Sequence, residues 1–143
     1  MNTILVVDDS RFMRTTVEHI LDKVGYQVAM AVDGEEALRI ANDILPDAVL
    51  LDLLLPKIGG PEVLRCLKTN PVTADIPVVV VTGLSQKNEG KLRKAGAFAY
   101  LEKGTLFEHP QILLELVDAA LKPNGGLVPP VQSIASPIPL RNQ

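Results

Sequence analysis

The chain has 143 residues, 47% of them apolar, 11 prolines, and a formal charge of −3 from 17 acids and 14 bases. That length suits one domain with a real core, the composition is too apolar for a disordered chain, and the acidic balance excludes a non-specific nucleic-acid binder. No apolar run nears the ~18 residues of a membrane span, the first apolar run stops at Asp8 and Asp9 as no secretory leader does, and the lone Cys66 makes neither an internal disulfide nor a cysteine zinc site, so a cytoplasmic protein is expected.

The first strand is expected at residues 3–7. A helical stripe of Met13, Val17, Ile20, Leu21 and Val24 follows and should stop near Gly25. A second strand at 27–31 runs into an Asp33-Gly34 turn and a second stripe, Ala37, Leu38, Ala41, Ile44 and Leu45. After a third strand at 48–51, Gly59-Gly60-Pro61 opens a shorter helix through Val63, Leu64 and Leu67, with Pro61 in its first turn. A fourth strand is expected at 76–81. The fourth helix, about 85–95, is almost entirely polar and should be the most mobile. Gly90 within it costs ~1 kcal/mol against Ala. That helix should end at Gly96, before a fifth strand at 98–101 and a last stripe of Leu113, Leu116, Val117, Ala120 and Leu121. Strands rich in Val, Ile and Leu without polar alternation are those buried on both faces. Their alternation with helices predicts an α/β domain with a doubly wound parallel sheet. From Pro123 onward the chain holds five prolines, two glycines, no acid and one base, Arg141. A folded domain over 1–122 and an extended Pro-rich tail or linker over 123–143 are expected.

In an open parallel sheet, ligands bind outside the carboxyl ends of the strands. Those ends deliver Asp8 and Asp9, Asp52, Thr82 and Lys103 to one rim. Ordinary roles compete with functional ones: Asp9 or Ser10 is placed to cap the first helix, Thr82 can simply end a strand, and Lys103 can be a solvated loop cation. Asp52 directly follows Val49-Leu50-Leu51, so it should be partly buried, where an unpaired charge is expensive. Three crowded carboxylates raise one another's pKa unless a cation sits among them. With no His or Cys cluster nearby, the oxygen-only set favours Mg²⁺. A divalent cation beside a nucleophilic carboxylate points to phosphoryl transfer onto Asp52, with Lys103 and the Thr82 hydroxyl available to the phosphoryl oxygens.

These pieces stand in an order that resembles a bacterial two-component response-regulator receiver domain of the chemotaxis type, over about residues 3–122. The motifs are Ile4-Leu5-Val6-Val7-Asp8-Asp9-Ser10, Asp33-Gly34-Glu35-Glu36-Ala37-Leu38, and Pro46-Asp47 leading to Leu51-Asp52-Leu53-Leu54-Leu55-Pro56 with Gly60 beyond. Ile76-Pro77, Val81-Thr82-Gly83 and the run from Gly96 through Tyr100 to Lys103 complete the set. The resemblance implies a flavodoxin-like five-stranded sheet in the order 2-1-3-4-5 with five helices. It implies Asp52 as phosphoacceptor, and Mg²⁺ held by Asp8, Asp9, Asp52 and the main-chain carbonyl of Leu54. Lys103 would pair with the phosphoryl group. Thr82 would be the switch hydroxyl and Tyr100 the aromatic that turns inward with it, unless Tyr100 is only a half-buried strand residue.

The implied partners are a sensor histidine kinase or phosphotransfer protein on the first helix, near Arg11 and Phe12, and a downstream protein on the fourth helix, fifth strand and fifth helix. Lys87, Lys91 and Lys94 share one face of that fourth helix, either as a solvated face or as a docking surface for an acidic partner. Neither direct nucleic-acid binding nor membrane binding is implied. The domain would not be an enzyme beyond its own phosphorylation and slow dephosphorylation. An aspartate-nucleophile phosphatase needs a second acid where Leu54 stands. The alternative is a receiver-like interaction module that is not phosphorylated.

The sequence departs from the family pattern after Lys103, where Gly104 replaces the usual proline. A cis bond without proline costs ~3 kcal/mol, which favours a trans peptide without fixing it, and the loop down to Phe107 and Pro110 is a residue or two longer than the family's. Gly83 meets the family's need for a small residue after the switch threonine. Leu54 and Leu84, each two residues past a site residue, would crowd an attacking water and slow autodephosphorylation.

Overall fold

In the computed structural model, the described residues are 1–84, 87 and 89–122. The Pro-rich segment 123–143 and part of the expected fourth helix lie outside them. The elements run β1 (Thr3–Val7), α1 (Arg11–Asp22), β2 (Gln27–Ala31), α2 (Gly34–Ile44), β3 (Ala48–Leu51), α3 (Gly60–Thr69), β4 (Val78–Thr82), α4 (Glu89–Lys94), β5 (Ala99–Glu102), α5 (Lys103–Glu108) and α6 (Pro110–Ala120). The five strands form one parallel sheet in the order β2-β1-β3-β4-β5. Every residue of β3 and β4 is buried, whereas the edge strand β2 buries only Ala31. Runs without polar alternation thus occupy the centre, as strands covered by helices on both faces must. No described helix is long and apolar enough to cross a membrane.

Register places the site. Val7 pairs with Ala31 on one side and Leu51 on the other. The Asp52 N–H then donates to the Val7 carbonyl at 3.0 Å, and the Asp8 N–H donates to Ala31 at 3.2 Å. Both aspartates are therefore fixed one step past the last rung of neighbouring strands. Thr82 pairs with Glu102, which brings Lys103 round the same rim.

Helix ends account for most boundary differences. α1 stops at Asp22, Gly25 reverses the chain at φ 94°, and Val24 is left 55% exposed. α2 stops at Ile44 with Leu45 in the left-handed region at φ 49°, so the last two residues of its expected stripe stay outside the core. β4 begins at Val78 because Pro77 has no N–H; the Pro77 carbonyl instead accepts from Val49 at 2.9 Å. β5 sits one residue later than expected, at Ala99–Glu102.

The larger correction follows Lys103. The expected loop is a six-residue helix, α5, so the described chain has six helices rather than five. A proline at 104 would push residue 103 out of the helical region; Gly104 leaves Lys103 free to open a helix. The Lys103–Gly104 peptide is trans.

Glycine is also required where α3 meets the sheet. A Cβ on Gly60 would lie 2.3 Å from the Asp52 carbonyl oxygen and 2.4 Å from Leu53 Cα. Gly60→Ala is expected to cost about 2 kcal/mol through overpacking. Gly104→Ala, whose Cβ meets nothing within 4 Å, is expected to add about 0.5 kcal/mol. Urea unfolding of both variants against the parent protein checks the two opposite signs.

Candidate functional site

The site begins with the turn after β1. Ser10, in extended conformation, caps α1 by accepting from the Met13 N–H at 3.2 Å. The capping role therefore falls to Ser10, and Asp9 stays exposed at the rim. Asp8 is 5% exposed; its Oδ1 accepts from the Ser10 N–H at 2.9 Å. Asp52 is 4% exposed, and its Oδ1 accepts from the Leu54 N–H at 3.3 Å. Lys103 bridges the two, with Nζ 2.9 Å from Asp8 Oδ2 and 3.1 Å from Asp52 Oδ2.

Oxygens of Asp8, Asp9 and Asp52 all lie within 4.8 Å of one another. Three carboxylates facing one ammonium leave two negative charges on the rim. An all-oxygen donor set with that excess charge fits a hard divalent cation such as Mg²⁺. Charge and burial also move the ionisations. Burial, assisted by the Asp52 charge, raises the Asp8 carboxyl above its ordinary range despite the Ser10 and Lys103 hydrogen bonds. Burial opposes the Lys103 ammonium, but its hydrogen bonds to Asp8 and Asp52 prevail and raise it.

Thr82 ends β4 fully buried, and its Oγ1 accepts from the Leu84 N–H at 3.5 Å. Tyr100 is also fully buried rather than half-buried, and its hydroxyl donates to the Leu84 carbonyl at 2.9 Å. Thr82 and Tyr100 thus meet through one residue of the β4–α4 connection. Burial, then the charges of Glu102, Glu89 and Asp52, push the Tyr100 phenol up to about 12. Leu54 stands at the rim, 59% exposed, two residues beyond Asp52.

Sequence reasoning missed two contributors. Arg14 Nη1 donates to the Asp8 carbonyl at 2.9 Å, a link across six residues that no periodic rule signals. Phe107, carried up by α5, meets Phe12 with ring centroids 6.0 Å apart; only Gly104 hinted at the helix that brings it there. On α4, Lys91, Arg93 and Lys94 are exposed while Leu92 is buried.

The family model "Response regulator receiver domain" matches residues 4–117. The chain is 39% identical over 105 residues to the DNA-binding dual master transcriptional regulator RpaA of Synechocystis sp., covering 72% of this chain but only 43% of that one. It is 31% identical over 102 residues to the polar-differentiation response regulator DivK of Brucella anthropi, covering 71% of this chain and 83% of the relative. Among solved structures, the chemotaxis response regulator CheY4 of Vibrio cholerae superposes with a TM-score of 0.76 at 30% identity, over 85% of this chain and 99% of that one. A response regulator from Chloroflexus aurantiacus gives a TM-score of 0.76 at 34% identity, over 84% and 97% of the two chains.

The bridge makes a pH-dependent stability prediction. Because the folded pKa of Lys103 is raised, its contribution is complete at neutral pH and is lost only as pH climbs through that folded value. Lys103→Met strands two buried carboxylates and is expected to cost about 3 kcal/mol near neutrality. The Asp8 carboxyl, already raised, then rises further, and the deficit shrinks as acid protonates it. Urea unfolding of parent and variant at about pH 7 and about pH 4 should show the gap narrowing in acid.

Proposed function

The chain belongs to the response-regulator receiver family, and from that premise we propose that Asp52 accepts a phosphoryl group from a phosphohistidine. Receivers are phosphoacceptor signalling modules rather than classical enzymes. The observation that carries the residue assignment is the single Lys103 ammonium lying between Asp8 and Asp52 at the carboxyl rim of the sheet. In the transfer, an Asp52 carboxylate oxygen forms the new bond to phosphorus in line with the breaking P–N bond, whose electron pair returns to the imidazole. Lys103 exchanges one carboxylate contact for a phosphoryl oxygen and limits charge build-up there. Asp8, Asp9, Asp52 and the Leu54 carbonyl would hold Mg²⁺, which when bound would neutralise charge on the phosphoryl oxygens.

Thr82 and Tyr100 carry the change outward. A phosphoryl oxygen accepting from the Thr82 hydroxyl draws on the same loop whose Leu84 carbonyl holds the Tyr100 hydroxyl. The bistable element is therefore the stretch from Thr82 to Leu84 at the end of β4, biased by charge added at one point. The phosphodonor protein docks on α1 at the rim, where Arg11 and the Phe12–Phe107 pair are exposed. The downstream protein takes α4, β5 and the helix after it. The exposed Lys91, Arg93 and Lys94 favour an acidic surface on that partner.

The test uses a small acyl-phosphate donor, Mg²⁺ and intact mass. The parent protein is expected to gain one phosphoryl mass and Asp52→Asn none. Absence of any adduct in the parent favours an unphosphorylated interaction module instead. Leu54→Asn and Leu84→Ala are each expected to shorten the phosphoryl half-life roughly fivefold, a barrier change of about 1 kcal/mol. Decay of the isolated phosphoprotein measures it, and unchanged half-lives contradict the proposed shielding by these leucines.

A further inference from the structure

Asp8 is gripped at each of its polar groups. Its N–H donates to Ala31, its Oδ1 accepts from Ser10, and its Oδ2 pairs with Lys103. The remaining group, the main-chain carbonyl, accepts from Arg14 Nη1 at 2.9 Å. That carbonyl belongs to the peptide joining Asp8 to Asp9. Asp9 is exposed, so this peptide governs where its carboxylate can swing toward the other two.

We propose that Arg14 is a positioning residue for the cation site, fixing the Asp8–Asp9 peptide so that both carboxylates face Asp52. The role rests on reading Asp8, Asp9 and Asp52 as the Mg²⁺ site. It is separable from the fold of α1. The helix start is capped by Ser10 Oγ on the Met13 N–H, and its first turn closes with the Arg14 backbone N–H on Ser10 at 3.0 Å. Both bonds survive a change of the Arg14 side chain.

Charge and geometry make opposite demands, which gives the proposal a sign. A guanidinium held on the Asp8 carbonyl brings positive charge toward the site and repels an incoming cation, so on charge alone its removal tightens Mg²⁺ binding. If the guanidinium holds the carboxylates in place, its removal weakens binding. Loss of a group that orients metal ligands from behind costs about tenfold or more in metal affinity. The geometric effect is therefore expected to prevail.

The experiment titrates Mg²⁺ into the ¹⁵N-labelled full chain and follows the amide signals of Asp9 and Leu54. Thermal unfolding of each variant is recorded beside it. In Arg14→Leu and Arg14→Gln, the Mg²⁺ Kd is expected to rise about tenfold while the melting temperature without metal changes little. Arg14→Gln keeps a polar side chain on α1 and serves if Arg14→Leu does not fold. Saturable binding in the parent with equal or tighter binding in the folded variant overturns the role of Arg14 and leaves the Mg²⁺ site standing. No saturable Mg²⁺ response in the parent overturns both the site and the role.

Discussion

Asp8 and Asp52 stand at the ends of adjacent central strands, 5% and 4% exposed, with the Lys103 ammonium within 3.1 Å of both. Two ionised carboxylates at that depth repel one another. At an effective dielectric of about 20, unit charges 4 Å apart interact by about 4 kcal/mol. Lys103, in contact with both, offsets that repulsion, but Asp9 brings a third carboxylate to the rim and leaves its negative charge in excess. The rim is therefore an electrostatically incomplete assembly on a well-packed base. Such a triad is able to hold a metal ion, and receiver domains with this acidic pocket are phosphoacceptor modules. The buried β3 and β4 strands, the close seat of Gly60 on the Asp52 carbonyl and the Ser10 cap all hold these few groups at fixed separations.

The same constraint links the site to the surface. Lys103 sits where β5 passes into α5, so the cation that bridges the carboxylates also starts the segment that lifts Phe107 against Phe12. Tyr100 lies three residues before it on β5, bonded to the Leu84 carbonyl that follows Thr82. Lys103 and Thr82 are thereby joined by the chain to two separate parts of the surface, one near α1 and one near α4. Glu89, buried at the start of α4 with one carboxylate oxygen unpartnered, has its carboxyl raised by burial.

Much of this was legible in the chain itself. Apolar runs without alternation mark the buried strands, and polar residues just past four of them mark the rim: Asp8, Asp52, Thr82 and, after Glu102, Lys103. A carboxylate placed at the end of a buried strand has few bland explanations, which is why Asp52 stood out. The end of α2 is less legible, because its apolar periodicity continues past the point where a left-handed Leu45 turns the chain away from the core, whereas Gly25 marks the turn after α1 as expected. α5 was hidden because Gly104 was read as loop chemistry, although removing proline is what frees Lys103 for a helix. Arg14 was hidden because a side chain reaching a carbonyl six residues back leaves no spacing signature.

Three carboxylates against one ammonium make a cation site that Lys103 alone leaves incomplete. Anything that binds the folded state alone raises its stability in proportion to the logarithm of its concentration. The most direct measurement is the urea midpoint of the full chain against Mg²⁺ concentration, with Na⁺ matched for ionic strength. The midpoint is expected to climb with Mg²⁺, not to climb with Na⁺, and to lose that climb in Asp9→Asn. A parent midpoint that ignores Mg²⁺, or one that responds equally to Na⁺, contradicts it.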